Sequence, residues 1–280
     1  MAQLGGFSAS IFKKLIGLNI SHKRFSNKDA WESEDAVRTY SSDFSLQEPE
    51  KTILSVLRYQ LKNMKMLDIG VGTGRSTRYF AHIVREYEGV DYSETMLKAC
   101  RRNFPKYSFK LADARYLASF EDNQFDFVLF SFNGLDCINH KDRIEALHEI
   151  RRVMKKGGYF CFSAHNLNFV RKYVSFNLSK NPVRLLRESR RLCLMRFLNR
   201  NEWGNLRKPV KSEKHLIIRE VPHGFVCSLY YIEPEEQIKQ LREIGFKNTR
   251  VYRLFGGKEI QAPSELQNTM DPWLYYLASS

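Results

Sequence analysis

Between Asp29 and Asn63 apolar residues recur every three to four positions: Trp31, Ala36, Val37, Tyr40 and Phe44, then, beyond Pro49, Ile53, Leu54, Val56, Leu57 and Leu61. This period predicts two amphipathic helices broken near Pro49, whose ring does not fit a helix interior. At Lys65 the pattern becomes a short apolar run, MLDIG, that stops at a glycine cluster, and from there extended and helical patterns alternate. Strands are expected near 65–69, 87–91, 107–111, 125–131 and 158–164, with helices near 74–85, 94–103 and 141–154. Such alternation implies an α/β fold with a doubly wound, mostly parallel sheet that binds ligands at the carboxyl ends of its strands.

The alternation stops after Asn166 for almost sixty residues, which contain an Arg-rich helical stretch from Val183 to Asn199 and then the loop NEWGNLRKP. This segment reads as a basic helical insertion after the fifth strand. Beyond it, Gly224–Ile232 reads as a strand, Pro234 opens a helix that runs to Ile244, and Gly245 closes that helix. Strands near Lys247–Phe255 and Trp273–Ala278 complete a seven-stranded sheet. The expected organisation is an arm with covering helices over 1–63, a cofactor-binding core over 64–165, the lid or insertion over 166–223, and closing strands and helix over 224–280. Residues 1–27 show no sustained period.

With 43% hydrophobic and 27% charged residues in 280, collagens, disordered tails and coiled coils are excluded. The 45 Lys and Arg exceed the 31 Asp and Glu, and 14 of those cations against four Glu lie between Asn166 and His223. A segment so biased is either a solvated helix face or an attractor of acidic substrate, nucleic-acid phosphates or an anionic membrane surface. The five cysteines, Cys100, Cys137, Cys161, Cys193 and Cys227, form no metal-ligand spacing and read as reduced thiols. The first twenty residues lack a signal-peptide core and no stretch is long and apolar enough to span a bilayer, so a cytoplasmic protein without integral membrane association is expected.

The densest chemical signal is LDIGVGTG, in which Asp68 precedes Gly70, Gly72 and Gly74 at a strand-to-helix turn. Glycines there let a ligand approach the backbone closely. The spacing is G-x-G-x-G, not the G-x-G-x-x-G of dinucleotide folds. A carboxylate beside the loop repels phosphates and suits a cationic ligand, which favours S-adenosylmethionine, with its ammonium and sulfonium groups. Asp91 ends the second strand, 21 residues after Gly70, where a carboxylate accepts from both ribose hydroxyls. Asp113 follows the third strand, placed to accept from an adenine amino group, with the Ala114 amide facing a ring nitrogen. Tyr92 and Ser131, at the ends of the second and fourth strands, complete the cofactor candidates.

In this order the motifs resemble those of the class I S-adenosylmethionine-dependent methyltransferases, over about Trp31 to Ala164 and the last fifty residues. The resemblance implies that Gly70, Gly72, Gly74, Asp91 and Asp113 carry the cofactor. RRVMKKGGYFCFS also matches the family, with Gly157 and Gly158 making a tight turn into the fifth strand and Lys156 standing where proline is usual. The Arg-rich insertion has no general family counterpart.

Methyl transfer from a sulfonium is an in-line displacement that needs alignment, desolvation and removal of a proton, but no metal. Candidates beside the methyl group are Asn133, Asp136, His165 and Asn166, with Tyr40 as cover from the N-terminal helices. His165 is the candidate base, a capping or core-edge histidine being its alternative. Catalytic roles are thus read for His165, Asn133 and Tyr40, and acceptor binding for Asp136, Arg184, Arg187 and Arg191, the three arginines sharing one helix face. The apolar Leu185, Leu186, Leu192, Leu194 and Phe197 are expected to dock the insertion. The expected activity is methylation of an oxygen or nitrogen on a small-molecule or peptide acceptor, one with acidic character such as a carboxylate. The alternatives are an RNA (tRNA) methyltransferase whose insertion holds phosphates, and a non-catalytic scaffold that retains the cofactor fold.

Overall fold

The computed structural model describes residues 27, 31–41, 45–175, 182–207, 213–219 and 227–280. Helix α1 (Glu34–Tyr40) is followed by α2 (Glu48–Val56) and a further turn, α3 (Arg58–Leu61). Pro49 lies in the first turn of α2, where its missing N–H costs nothing, so the break expected there is the start of the second helix. Strand β1 (Lys65–Ile69), helix α4 (Thr77–Phe80), β2 (Glu86–Asp91), α5 (Glu94–Asn103), β3 (Ser108–Leu111), β4 (Phe125–Phe130), α6 (His140–Val153) and β5 (Met154–Asn166) then alternate. The helix expected over 74–85 is a single turn, flanked by turns that mix i to i+3 bonds, such as Ile83 N–H to the Phe80 carbonyl, with single i to i+4 bonds.

The sheet runs β3-β2-β1-β4-β5, all parallel. Beyond β5, strand β9 (Trp273–Ser279) pairs antiparallel, and β8 (Lys247–Arg253) pairs antiparallel with β9, closing the seven expected strands. Gly157 and Gly158 do not make a turn before β5. They form a bulge within it, where the register passes from Phe125↔Met154 to Phe127↔Tyr159 and Gly157 takes φ of 80°.

Side chains alternate strictly across the sheet. Leu67, Ile69, Val128 and Phe130 enter one core with Ala146, Leu147 and Ile150 of α6. Met66, Phe127 and Leu129 enter the other with Ile53 of α2, Leu57 that caps it and Leu97 of α5. Helix α10 (Pro234–Ile244) covers the first face and ends at Gly245, whose φ of 103° is left-handed.

Between β5 and the closing strands the chain forms α7 (Leu167–Ser175), α8 (Pro182–Leu198), α9 (Trp203–Arg207) and an antiparallel hairpin, β6 (His215–Arg219) with β7 (Ser228–Ile232). The segment is therefore helical only in part. β6 was not expected, and α9 occupies what reads as a loop. These elements bury a third core of Leu167, Val170, Leu194, Met195, Leu206 and Ile218, so Leu194 docks as expected while Phe197 is 58% exposed. β7 joins the sheet through two residues, His165↔Tyr231 and Asn166↔Ile232. No helix among the described residues is long and apolar enough to cross a membrane.

Candidate functional site

A cleft opens at the carboxyl ends of β1, β2 and β4, where a doubly wound sheet leaves a crevice between strands whose connections diverge. Its floor is the loop after β1. A Cβ on Gly72 would meet nothing within 4 Å, so its backbone faces open space, whereas one on Gly74 would meet Phe104 at 2.4 Å. Gly72 is thus a place for close ligand approach and Gly74 a packing glycine; both have positive φ, 57° and 99°.

Asp91 ties this loop to the end of β2. Its Oδ2 accepts from the Gly72 N–H at 2.8 Å and its Oδ1 from the Ser93 N–H at 2.9 Å. Asp68 is buried beneath, where its Oδ2 accepts from Ser76 Oγ at 2.5 Å and Tyr87 Oη at 2.6 Å. Burial lifts both carboxyls from the usual 3.8 to about 6, because desolvation of the anion outweighs the donated hydrogen bonds. The folded chain therefore binds their protons more readily than the unfolded chain. Their contribution to stability is full below the ordinary carboxylate range and is lost as pH rises through about 6.

The N-terminal helices roof the cleft. Thr73 Oγ1 donates to the Tyr40 carbonyl at 2.9 Å, Ser93 Oγ to the Trp31 carbonyl at 3.2 Å, and Thr95 Oγ1 to Glu32 at 2.7 Å. These anchors hold an aromatic frame in which Trp31 meets Tyr40 edge-on at 5.1 Å and Tyr40 meets Phe132 at 6.1 Å. Phe132 and Asn133 both adopt left-handed backbone, φ 56° and 60°, which turns the chain sharply after β4.

Of the residues expected at the site, Tyr40, Asp68, Gly70 and Gly72 line the cleft, as do Asp91, Tyr92, Ala114 and Ser131. Asp113 does not: Arg115 binds its carboxylate through Nη2 at 2.6 Å and Nε at 3.0 Å. Asp136, His165 and Asn133 lie behind the wall. Asp136 is wholly buried, its Oδ1 accepting from Arg143 at 2.6 Å and its Oδ2 from both the His165 backbone N–H and Nδ1, each at 2.7 Å. Asp136 holds Nδ1, and Asn133 Nδ2 stands 3.4 Å from Nε2 on the other side of the ring. His165 is thus turned toward Asn133 and not toward the cleft. Asn166 is also buried and donates to the Asp271 carbonyl at 3.1 Å. The side chains of Arg184, Arg187 and Arg191, and those of Leu185 and Leu186, lie outside the described residues.

One group at the cleft escaped the sequence reading. Arg75, beside Gly74, makes a bidentate pair with buried Glu50 of α2 at 2.6 and 2.7 Å and lies 4.9 Å over the Phe132 ring. Ser131 Oγ donates to Glu50, and Tyr275 and Trp273 of β9 both donate to Gln47, whose N–H donates back to Glu50 at 2.7 Å. This network locks α2 to the glycine loop and the end of β4. Glu50 shares a helix face with Ile53 and Leu57, and a carboxylate on an apolar stripe is the signal that a buried cation must meet it.

Residues 66–158 match the family described as a methyltransferase domain. Among curated proteins, the chain is 39% identical to a demethylmenaquinone methyltransferase of Renibacterium salmoninarum over 94 residues, 34% of this chain and 38% of that protein. It is 36% identical to a ubiquinone/menaquinone biosynthesis C-methyltransferase of Pseudomonas aeruginosa over 132 residues, 42% and 50% of the respective lengths. The chain thus spans half or less of the length of these relatives. Among solved structures, the CcbJ methyltransferase of Streptomyces caelestis shares the fold at a TM-score of 0.60 and 16% identity, over 91% of this chain and 99% of that one. An S-adenosylmethionine-dependent methyltransferase of Mesorhizobium loti does so at 0.51 and 17%, over 83% and 98%.

Proposed function

We propose that the chain, whose residues 66–158 match a methyltransferase domain, is a class I S-adenosylmethionine-dependent methyltransferase that transfers a methyl group to a small aromatic acceptor seated beneath Trp31, Tyr40 and Phe132. The observation that carries this reading is the aromatic frame fastened to the cofactor loop by Thr73 and Ser93. The cleft residues fit the cofactor: Gly72 faces open space, and the carboxylate of Asp91, rigidly held by two backbone donors, suits a pair of ribose hydroxyls. Bound S-adenosylmethionine supplies a methyl group activated by a sulfonium.

The chain's own part is to bind, orient and exclude water. Burial pushes the Tyr40 phenol well above its ordinary value, so at neutral pH it stays protonated and donates a hydrogen bond to an acceptor. Arg75, the cation on the described cleft wall, is matched by Glu50, which leaves an acidic acceptor no unmatched partner there and favours an apolar ring. Quinone methyltransferases among the relatives point the same way, and add carbon to oxygen and nitrogen as the atom methylated. His165 is a positioning residue: through Asp136 it braces the turn that carries Phe132 and Asn133.

Cofactor affinity follows the ionisation of Asp91, which offers both of its oxygens as acceptors to a pair of hydroxyls only as the anion. Affinity is expected to be full above about pH 6 and to fall below it, approaching about tenfold per pH unit. Titration of S-adenosylhomocysteine binding across this range checks it, and an unchanged affinity down to pH 5 would contradict the role of Asp91.

The activity itself is tested by incubating the full chain with methyl-labelled cofactor and separate pools of phenols and quinols, amines, carboxylic acids and tRNA. Label is expected in the phenol and quinol pool. Phe132→Ala is expected to raise the acceptor KM by about tenfold, the worth of one well-placed aromatic contact, with cofactor affinity unaltered. Label confined to tRNA would replace this reading by the nucleic-acid one, and tight cofactor binding with no product in any pool would favour the scaffold.

A further inference from the structure

We propose that His140 and His215 form a pH-operated latch between α6 and the β6–β7 hairpin, which holds while both imidazoles are neutral and lets β6 part from α6 when they are protonated. His140 opens α6 and His215 opens β6. Their rings lie parallel, with 6° between the planes and 4.1 Å between the centroids. Tyr230 of β7 continues the stack, 5.8 Å from His140 and 5.1 Å from His215.

Tyr230 also sets the protonation state that the stack requires. It is fully buried, and burial pushes its phenol up to about 12, so it keeps a proton to donate. The Gln240 side chain already hydrogen-bonds the phenol oxygen, and that oxygen stands 2.8 Å from His140 Nδ1. With Nδ1 accepting, His140 is neutral. A proton on Nδ1 would set two donors against each other beside a buried ring.

Among the described residues, the charged side chains that act on the pair are Arg143 of α6, 4.6 Å over the Tyr230 ring, and Glu236 of α10. Buried Asp136 is committed to Arg143, and the chain neighbours Lys141, Asp142 and Lys214 are paired with Glu145, Arg115 and Glu233. Desolvation, followed by Arg143, holds His140 below the ordinary 6.5 against the pull of Glu236. Desolvation, followed by His140 itself, does the same for His215. The folded chain thus binds these protons less readily than the unfolded one. The contribution of the stack is full above the ordinary histidine value and is lost as pH falls below it.

Little else holds β6 in place. Its strand partner among the described residues is β7, and β7 meets β5 through two residues. Parting of β6 is felt at the cleft, because Arg219 of β6 pairs with Ser228 of β7. The Ser228 backbone donates to Asn27 Oδ1 at 3.1 Å and accepts from its Nδ2 at 2.9 Å. Asn27 donates in turn to the carbonyl of Cys137, which lines the cleft. The inference rests on this joint alone and stands apart from the methyl-transfer reading.

The test is amide hydrogen exchange of the full chain, read by mass spectrometry at about pH 7.5 and about pH 5.5 and corrected for the intrinsic chemical rate at each. Opening of β6 is expected to rise on the order of tenfold at the lower pH, while β1 and β4 keep their protection. His215→Phe retains a ring in the stack and the bond from Tyr230 to His140, and is expected to cut the rise to about threefold. His140→Asn added to it keeps an acceptor for Tyr230 with no titrating ring, and should leave less than about a twofold difference. Protection of β1 and β4 in each variant shows that the sheet is folded. A native β6 equally protected at both values overturns the proposal, as does a rise that His215→Phe leaves untouched or one shared equally by β1 and β4.

Discussion

Asp91→Ala is expected to cost the protein about 2–3 kcal/mol of cofactor affinity, roughly 30- to 150-fold, the worth of hydrogen bonds to a charged acceptor. The magnitude follows from preorganisation. Asp91 is already fixed by the Gly72 and Ser93 amides at 2.8 and 2.9 Å, so a ligand hydroxyl meets a carboxylate that loses no rotamer freedom on binding. Its anion is also poorly solvated, as its rise to about 6 shows, and the bonds it accepts are correspondingly strengthened. Alanine further frees the Gly72 amide, so part of the loss is loop disorder. Asp91→Asn separates the two contributions: the amide oxygen can keep one backbone donor while the charge is gone. Calorimetric titration of the three proteins with S-adenosylhomocysteine is the measurement, and an affinity unaltered in Asp91→Ala would remove the residue from the cofactor site.

The second large effect is expected at the buried pair behind the cleft. Arg143 and Asp136 are both fully buried and 2.6 Å apart, and Arg143 also donates to Gln237 at 2.7 Å and lies over the Tyr230 ring. Arg143→Met leaves an uncompensated carboxylate in the core and is expected to destabilise the fold by about 3–5 kcal/mol. In a chain of this size the melting temperature should fall by about 5–9 °C. Asp136→Leu added to Arg143→Met removes the second charge and should recover a large part of the loss. If the double variant were no more stable than Arg143→Met, the damage would lie in packing and not in the orphaned charge. Because Asp136 also holds His165, the recovered double variant should show a poorer kcat at little cost in cofactor affinity, the signature of a bracing role.

The α/β frame was legible because its signals are local. The run MLDIG with its glycine loop marks β1 and the turn that floors the cleft, and the Pro234-to-Gly245 span marks α10 at both ends. What escaped depends on long-range contact. His165 meets Asp136, 29 residues away in the chain, and no periodicity reveals that this pairing turns the ring from the cleft. The pairing of Asp113 is local by contrast: Arg115, two residues on, holds its carboxylate outside the cleft lining. Strand β6 has two buried residues, Leu216 and Ile218, too few for alternation to stand out in a basic segment. Glu50 was legible in principle, a lone acid on an apolar helix face, although its partner Arg75 emerges only when α2 packs beside the glycine loop.

The proposal that the cleft over Gly72 and Asp91 takes S-adenosylmethionine stands or falls on binding. Isothermal titration of the full chain with S-adenosylmethionine and S-adenosylhomocysteine, with NAD as the comparison dinucleotide, tests it most directly. The expected result is binding of both sulfur compounds in the micromolar range or tighter, about 8 kcal/mol of favourable free energy, with no heat from NAD. Binding of NAD without either sulfur compound, or silence toward all three in the presence as well as the absence of an aromatic acceptor, would contradict it.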